Sequence, residues 1–210
     1  MMKVETVSVG FLNTNCYIAH NGESAAVIDP GADAERILNT ADSLGVKIKY
    51  VFLTHAHFDH VLAASEILEK TGALLVANVA ERERLRNPEL SGQTMLRRRE
   101  FVALYPDIEI GESGTLKMGE LTFSFLRTPG HTEGSMCIFC EDTMFSGDTL
   151  FAGTCGRCDL QGGDYAEMLK SLRKLYELDG EYKVLPGHEA ATTLSEERVT
   201  NPYMAEAMRQ

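Results

Sequence analysis

Between residues 54 and 60 the chain reads Thr54-His55-Ala56-His57-Phe58-Asp59-His60, with three imidazoles and a carboxylate packed together. The apolar run Tyr50-Val51-Phe52-Leu53 before it predicts a buried strand. After it, Val61 to Leu68 carries apolar residues at helical spacing. The cluster thus lies between a strand's C-terminal end and a helix's N-terminus, where α/β proteins place their ligands. Side chains two apart in an extended loop point the same way, so His55 and His57 can grip one metal ion together. Asp59 and His60 lie further along and more naturally face a second ion beside the first. Imidazole with carboxylate suits zinc, iron or manganese. A polar loop capping a helix through Asp59 is the ordinary alternative. It gives no reason for three histidines here when the whole chain has 6.

His55-x-His57-x-Asp59-His60 resembles the signature of the metallo-β-lactamase superfamily. Later segments extend the resemblance. Thr128-Pro129-Gly130-His131-Thr132-Glu133-Gly134-Ser135 is a tight turn with His131 at its apex, similar to the superfamily's next ligand motif. Ser146-Gly147-Asp148 follows a strand and resembles the carboxylate that bridges two metals. Pro186-Gly187-His188 follows another strand. The resemblance implies that His55, His57 and His131 hold a first ion and that Asp59, His60 and His188 hold a second. Asp148 would bridge them, with Asp59 and Asp148 the catalytic carboxylates of the centre. It also implies two divalent ions, zinc foremost with iron or manganese as the other options. A water between them would be the nucleophile, at a pKa lowered to about 7, so hydrolysis is the natural reaction class. His20 receives no role.

The rest of the chain predicts strands at Val4 to Val9, Cys16 to Ala19, Ala25 to Ile28 and Lys47 to Leu53. Further strands are expected at Ala73 to Ala77, Thr115 to Met118, Leu121 to Leu126, Met136 to Cys140, Thr143 to Phe145 and, last, Tyr182 to Leu185. Amphipathic helices are expected over Asp33 to Leu44 and Asp164 to Leu178, a short charged helix over Val79 to Arg86, and one short helix in the tail. Each half has strands then helices, with ligands at strand ends. That suggests two similar halves, each a sheet covered by helices, packed face to face. The fold class is α/β, and the resemblance implies a four-layer αββα sandwich of two mixed sheets in one domain spanning residues 1–210. Asn87 to Asp107 has no clear periodicity. Its basic run Arg97-Arg98-Arg99 reads as a solvated face, with a lid or substrate-contacting segment as the alternative.

The net charge of −11 disfavours nucleic acid and anionic membrane as partners. No apolar segment is long enough to span a bilayer, and the start Met1-Met2-Lys3-Val4-Glu5 has no export signal, so the cytosol is the expected compartment. The expected assembly is a monomer or homodimer. Five cysteines, an odd number, argue for free thiols there. Cys137 and Cys140 fall on opposite faces of a strand and cannot share an ion. Cys155 and Cys158 read as ordinary small residues, with a redox pair as the minority reading.

Within the superfamily the chain is most similar to the glyoxalase II-like branch, through Gly156-Arg157-x-Asp159, Pro186-Gly187-His188-Glu189, Glu197-Arg198 and Asn201-Pro202. It resembles that branch's shorter, single-domain members. The resemblance implies a thioester of a hydroxy acid and glutathione, or of another thiol carrier, as substrate. Arg157 has two readings: it grips a carboxylate of the carrier, or it pairs with Asp159 or Asp164 and shapes its loop. Asp29 has two as well: a partner for a ligating imidazole N–H, or an ordinary Asp-Pro-Gly turn. The alternative reaction is persulfide dioxygenation on one iron, using His55, His131 and Asp148. Cys155-Gly156-Arg157-x-Asp159-x-Gln161 resembles those enzymes.

Overall fold

The computed structural model describes residues 1–96 and 100–209; Arg97-Arg98-Arg99 lies outside the described residues. The first sheet contains β1 (Lys3–Val9), β2 (Thr14–His20), β3 (Ser24–Ile28), β4 (Lys47–Phe52), β5 (Leu74–Asn78) and β6 (Ile108–Ile110), in that spatial order. The second contains β7 (Ser113–Met118), β8 (Leu121–Arg127), β9 (Met136–Cys140), β10 (Thr143–Gly147), β13 (Lys183–Pro186) and β14 (Thr192–Thr193), ordered β14-β13-β10-β9-β8-β7. A small hairpin, β11 (Leu150–Phe151) with β12 (Thr154–Cys155), stands beside them. Both sheets are mixed. β3 to β6 run parallel, as do β10 and β13, and the other pairs are antiparallel.

Central strands buried on both faces create four layers. In β2, Cys16 and Ile18 face one apolar cluster while Tyr17 and Ala19 face another. In β3, Ala25 and Val27 alternate in the same way with Ala26 and Ile28. The outer cluster takes Ile37 and Ala41 of α1 (Ala34–Ser43) and Ala64 and Ile67 of α3 (Ala64–Thr71). The inner cluster joins the sheets through Phe52, Phe123, Phe125 and Phe145, with Phe52 edge-on to both Phe123 and Phe125. The other outer face is closed by α4 (Tyr165–Tyr176), α5 (Leu194–Thr200) and α6 (Pro202–Ala207). The αββα sandwich expected from the sequence is therefore the fold.

Several local expectations change. The helix after the histidine cluster is broken into α2 (Phe58–Val61) and α3, and Asp59 lies inside the first turn of α2 without capping it. Val79 to Arg86 is not one charged helix but two 3-10 turns, Val79–Glu81 and Arg84–Arg86. Tyr182 to Leu185 is not the last strand, because β14 folds back on β13. The tail holds two helices, since Asn201 ends α5 and its Oδ1 caps α6 by accepting from Tyr203 and Met204 N–H. Cys137 and Cys140 do face opposite layers, and all five thiols are free. No helix among the described residues is long and apolar enough to cross a membrane.

Candidate metal centre

The C-terminal ends of β4, β8, β10 and β13 open on one edge of the sandwich, and each leads into a loop carrying a candidate ligand. β4 leads to His55 and His57, β8 to His131, β10 to Asp148 and β13 to His188. Backbone hydrogen bonds fasten the sheets together here. Met136 N–H donates to Thr54 O at 2.9 Å, and Asn15 N–H to Gly187 O at 2.7 Å. The loops approach too closely for side chains at two glycines. A Cβ on Gly147 (φ +49°) would meet Thr54 Oγ1 at 2.2 Å, and one on Gly187 would meet Asp148 Oδ1 at 2.3 Å.

All seven histidines and aspartates singled out from the sequence converge. His55, His57 and His131 form one group with mutually close ring nitrogens, and Asp59, His60 and His188 form another. Asp148 reaches toward both. Its Oδ1 is 3.5 Å from His60 Nε2, and its Oδ2 is 3.6 Å from His131 Nε2 and 3.8 Å from His188 Nε2.

The hydrogen bonds behind the rings decide which nitrogens face inward. Asp29 accepts from Thr54 N–H at 2.7 Å, Thr54 Oγ1 at 2.6 Å and His60 Nδ1 at 2.9 Å. With its proton on Asp29, Thr54 Oγ1 is an acceptor for His55 Nδ1 at 3.1 Å. His131 Nδ1 donates to Arg157 O at 2.8 Å, and His188 Nδ1 faces Leu12 O at 3.3 Å. Each of these four rings thereby turns Nε2 toward the centre. Neutral rings then leave the lone pairs of His60 Nε2 and His188 Nε2 3.3 Å apart, which only a shared proton or a metal cation reconciles. His55 Nε2 and Asp148 Oδ1 are buried without a hydrogen-bond partner. Orphaned buried acceptors in an imidazole and carboxylate shell fit a divalent ion.

The electrostatics agree. Burial, then the neighbouring imidazoles, hold His55 far below the ordinary range and bring His57 down to about 2. Burial also lowers His131, against the pull of Asp148. Neutral imidazole is the ligating form. His60 behaves oppositely: burial lowers it, but Asp148, Asp59 and Asp29 together push it up to about 10. The carboxylates around the second group thus favour a positive charge there.

Asp29 takes the partner role foreseen for it. It sits at φ +52°, an unfavourable backbone for a non-glycine residue, held by three buried hydrogen bonds. Arg157 lines the groove, but its guanidinium is engaged by Asp159 through two contacts of 2.7 Å. It touches the centre through its carbonyl on His131. The sequence reading missed Glu81. It is buried, and accepts from Ala56 N–H at 3.0 Å, Gly134 N–H at 2.9 Å and Thr132 Oγ1 at 2.5 Å. One carboxylate thus ties the His55–His57 loop to the His131 turn. The only signal was topological: β5 lies parallel to β4, so residues just past its end reach the histidine loop.

A family profile described as the metallo-beta-lactamase superfamily matches residues 9–188. The probable metallo-hydrolase YqgX of Bacillus subtilis is 34% identical, over 97% of this chain and 98% of its own length. The hydroxyacylglutathione hydrolase GloC of Haemophilus influenzae is 32% identical over the same shares. Among solved structures, the BLEG-1 B3 metallo-beta-lactamase superposes with a TM-score of 0.89 at 32% identity, covering 96% of this chain and 99% of that one. TTHA1623 in a di-iron-bound form gives 0.83 at 31% identity, covering 95% and 99%. With the match spanning both sheets and every loop of the histidine and aspartate cluster, the chain belongs to the metallo-β-lactamase superfamily.

Proposed function

We propose that the protein is a binuclear metal-dependent hydrolase of thioesters, of the S-2-hydroxyacylglutathione type or a relative with another thiol carrier. The observation that carries the reading is the pair of three-ligand groups with Asp148 between them. His55, His57 and His131 would hold one ion, Asp59, His60 and His188 the other, and Asp148 both. Ions bound there would supply an acidified water as nucleophile and polarise the scissile carbonyl. The chain's own residues do the positioning. Asp29 orients His60, the Arg157 carbonyl orients His131, and Asp59 and Asp148 offset the charge gathered in the cluster. The likeness to GloC supports a thioester substrate, and the di-iron form of TTHA1623 keeps iron beside zinc and manganese as the resident metal.

Persulfide dioxygenation on one iron is the second reading, favoured by the Cys155 to Gln161 motif. It needs only His55, His131 and Asp148, and gives the Asp59–His60–His188 group no task. Elemental analysis, thioester turnover and oxygen consumption on one sample separate the two. The expected result is two transition-metal ions per chain, thioester hydrolysis and no oxygen uptake. Absence of any transition metal after purification without chelators would sink both readings. Chelation should also lower the melting temperature, because ions that bind only the folded chain stabilise it by about RT ln(1 + [L]/Kd).

Arg157→Ala tests the carrier side of the groove. The Arg157–Asp159 pair is exposed and screened by solvent, so its loss should barely move the melting temperature. If the fork exchanges Asp159 for a substrate carboxylate, KM for an anionic thioester should rise about tenfold while an uncharged one changes little. Equal effects on both substrates would assign Arg157 to loop shape alone.

A further inference from the structure

We propose that the acyl half of the substrate is an extended apolar chain, seated in the cleft beside Asp59; the inference rests on the thioester reading above. The cleft has a volume of about 750 Å³, within the size of small-molecule sites. Its wall is built from Phe11, Leu12, Phe58, Leu62, Met95 and Leu96. Phe11 is 69% and Met95 68% exposed, although both are large and apolar. Phe11 stacks on Phe58 with ring centroids 6.3 Å apart. Apolar side chains converging on a concave wall mark a binding surface rather than ordinary exposed residues.

The wall is continuous with the metal centre. Phe11, Leu12, Phe58, Asp59, Met95 and Leu96 also line the groove of about 970 Å³ that contains His57, His131, Asp148 and His188. The groove adds the polar Glu89, Arg157, Gln161 and Glu189 and the apolar Leu90, Phe151 and Leu160 to that wall. Among the described residues, the cleft beside Asp59 has only Asp33 as a further charge, and Asp33 Oδ2 accepts from Gly10 N–H at 2.9 Å. A thioester with its carbonyl at the cluster and its polar carrier toward Arg157 directs its acyl group along Phe11 and Met95. A lactoyl group, with one methyl and one hydroxyl, would leave most of that wall uncovered.

The test uses N-acetylcysteamine thioesters from acetyl to decanoyl, and the matching non-hydrolysable S-alkyl thioethers. Expected is a rise in kcat/KM of roughly two- to fourfold per methylene until the cleft is full. Thioether affinity, measured by calorimetry with and without metal, should rise in parallel with a negative heat-capacity change. Ala32→Trp, which narrows the cleft, should shift the optimum to shorter chains, and Phe11→Ser should flatten the dependence. Hydrolysis of short thioesters with no gain from length would overturn the acyl assignment and leave the hydrolase reading standing. Length-dependent thioether binding in a protein that cleaves no thioester would keep the cleft and overturn the reaction. A length dependence untouched by either substitution would put the chain elsewhere and overturn the proposal.

Discussion

Asp148→Asn is expected to lower thioester turnover about a hundred- to a thousandfold while the fold survives. The side chain stands between the two groups, one oxygen toward His60 and the other toward His131 and His188. An amide keeps the shape but removes the charge, and presents N–H groups to imidazole lone pairs that need a cation. The magnitude follows what removal of one preorganised electrostatic partner costs in other enzymes. The metal-free fold should survive, because Asp148 Oδ1 makes no hydrogen bond that the substitution could break, and the melting temperature should fall only by the share the lost ion contributes. The loop itself is held by its backbone: a Cβ on Gly156 would lie 1.8 Å from Asp148 O, so this segment packs against its neighbour closely. Metal content should fall from two ions toward one. Near-wild-type turnover with full metal content would show that Asp148 merely ends a turn.

The centre was legible in the sequence because its chemistry is local. His55, His57, Asp59 and His60 occupy one loop and the start of one short helix, and each remaining candidate ligand follows a strand that its own apolar run announces. The two-sided strands were legible for a similar reason, since continuous apolar runs such as Met136 to Cys140 are what burial on both faces requires. What stayed hidden depends on contacts far apart in the chain. β6 is three residues long and owes its existence to pairing with β5. The break between α2 and α3 falls where Ala63 N–H donates to Pro30 O, more than thirty residues earlier. Asp29 could be read either way until its oxygens were seen on Thr54 and His60. Glu81 sits in Glu81-Arg82-Glu83-Arg84, a charged run that composition assigns to solvent. Arg82 does pair with the exposed-side Glu109, while Glu81 and Arg84 turn inward and are buried.

Glu81→Ala should therefore be among the most damaging single changes away from the candidate ligands. Arg84 Nε lies 3.2 Å from Glu81 Oε2, and both residues are buried. Arg84 also donates to Glu133 Oε2 at 2.7 Å and to Gln161 O at 3.1 Å. Burial raises the Glu81 carboxyl more than Arg84 lowers it, so the pair is not a strong source of net stability. Removing one partner is another matter. It leaves a buried guanidinium under-compensated and strands the Ala56 and Gly134 amides, at a cost of about 3–5 kcal/mol. For a chain of this size that corresponds to a fall of roughly 6–20 °C in melting temperature. Glu81→Gln separates a tether from a mere stabiliser. It retains an oxygen acceptor and most of the packing, so it should fold at the temperatures where the alanine variant is marginal. Its amides to the His55–His57 loop and the His131 turn are less well held, and the first group should lose metal affinity about tenfold. The second group, which Glu81 does not touch, should keep its ion. Competitive chelation reads the two affinities separately. Equal weakening at both would make Glu81 a general prop of the fold; selective loss at the first would identify it as the residue that sets the spacing of His55, His57 and His131.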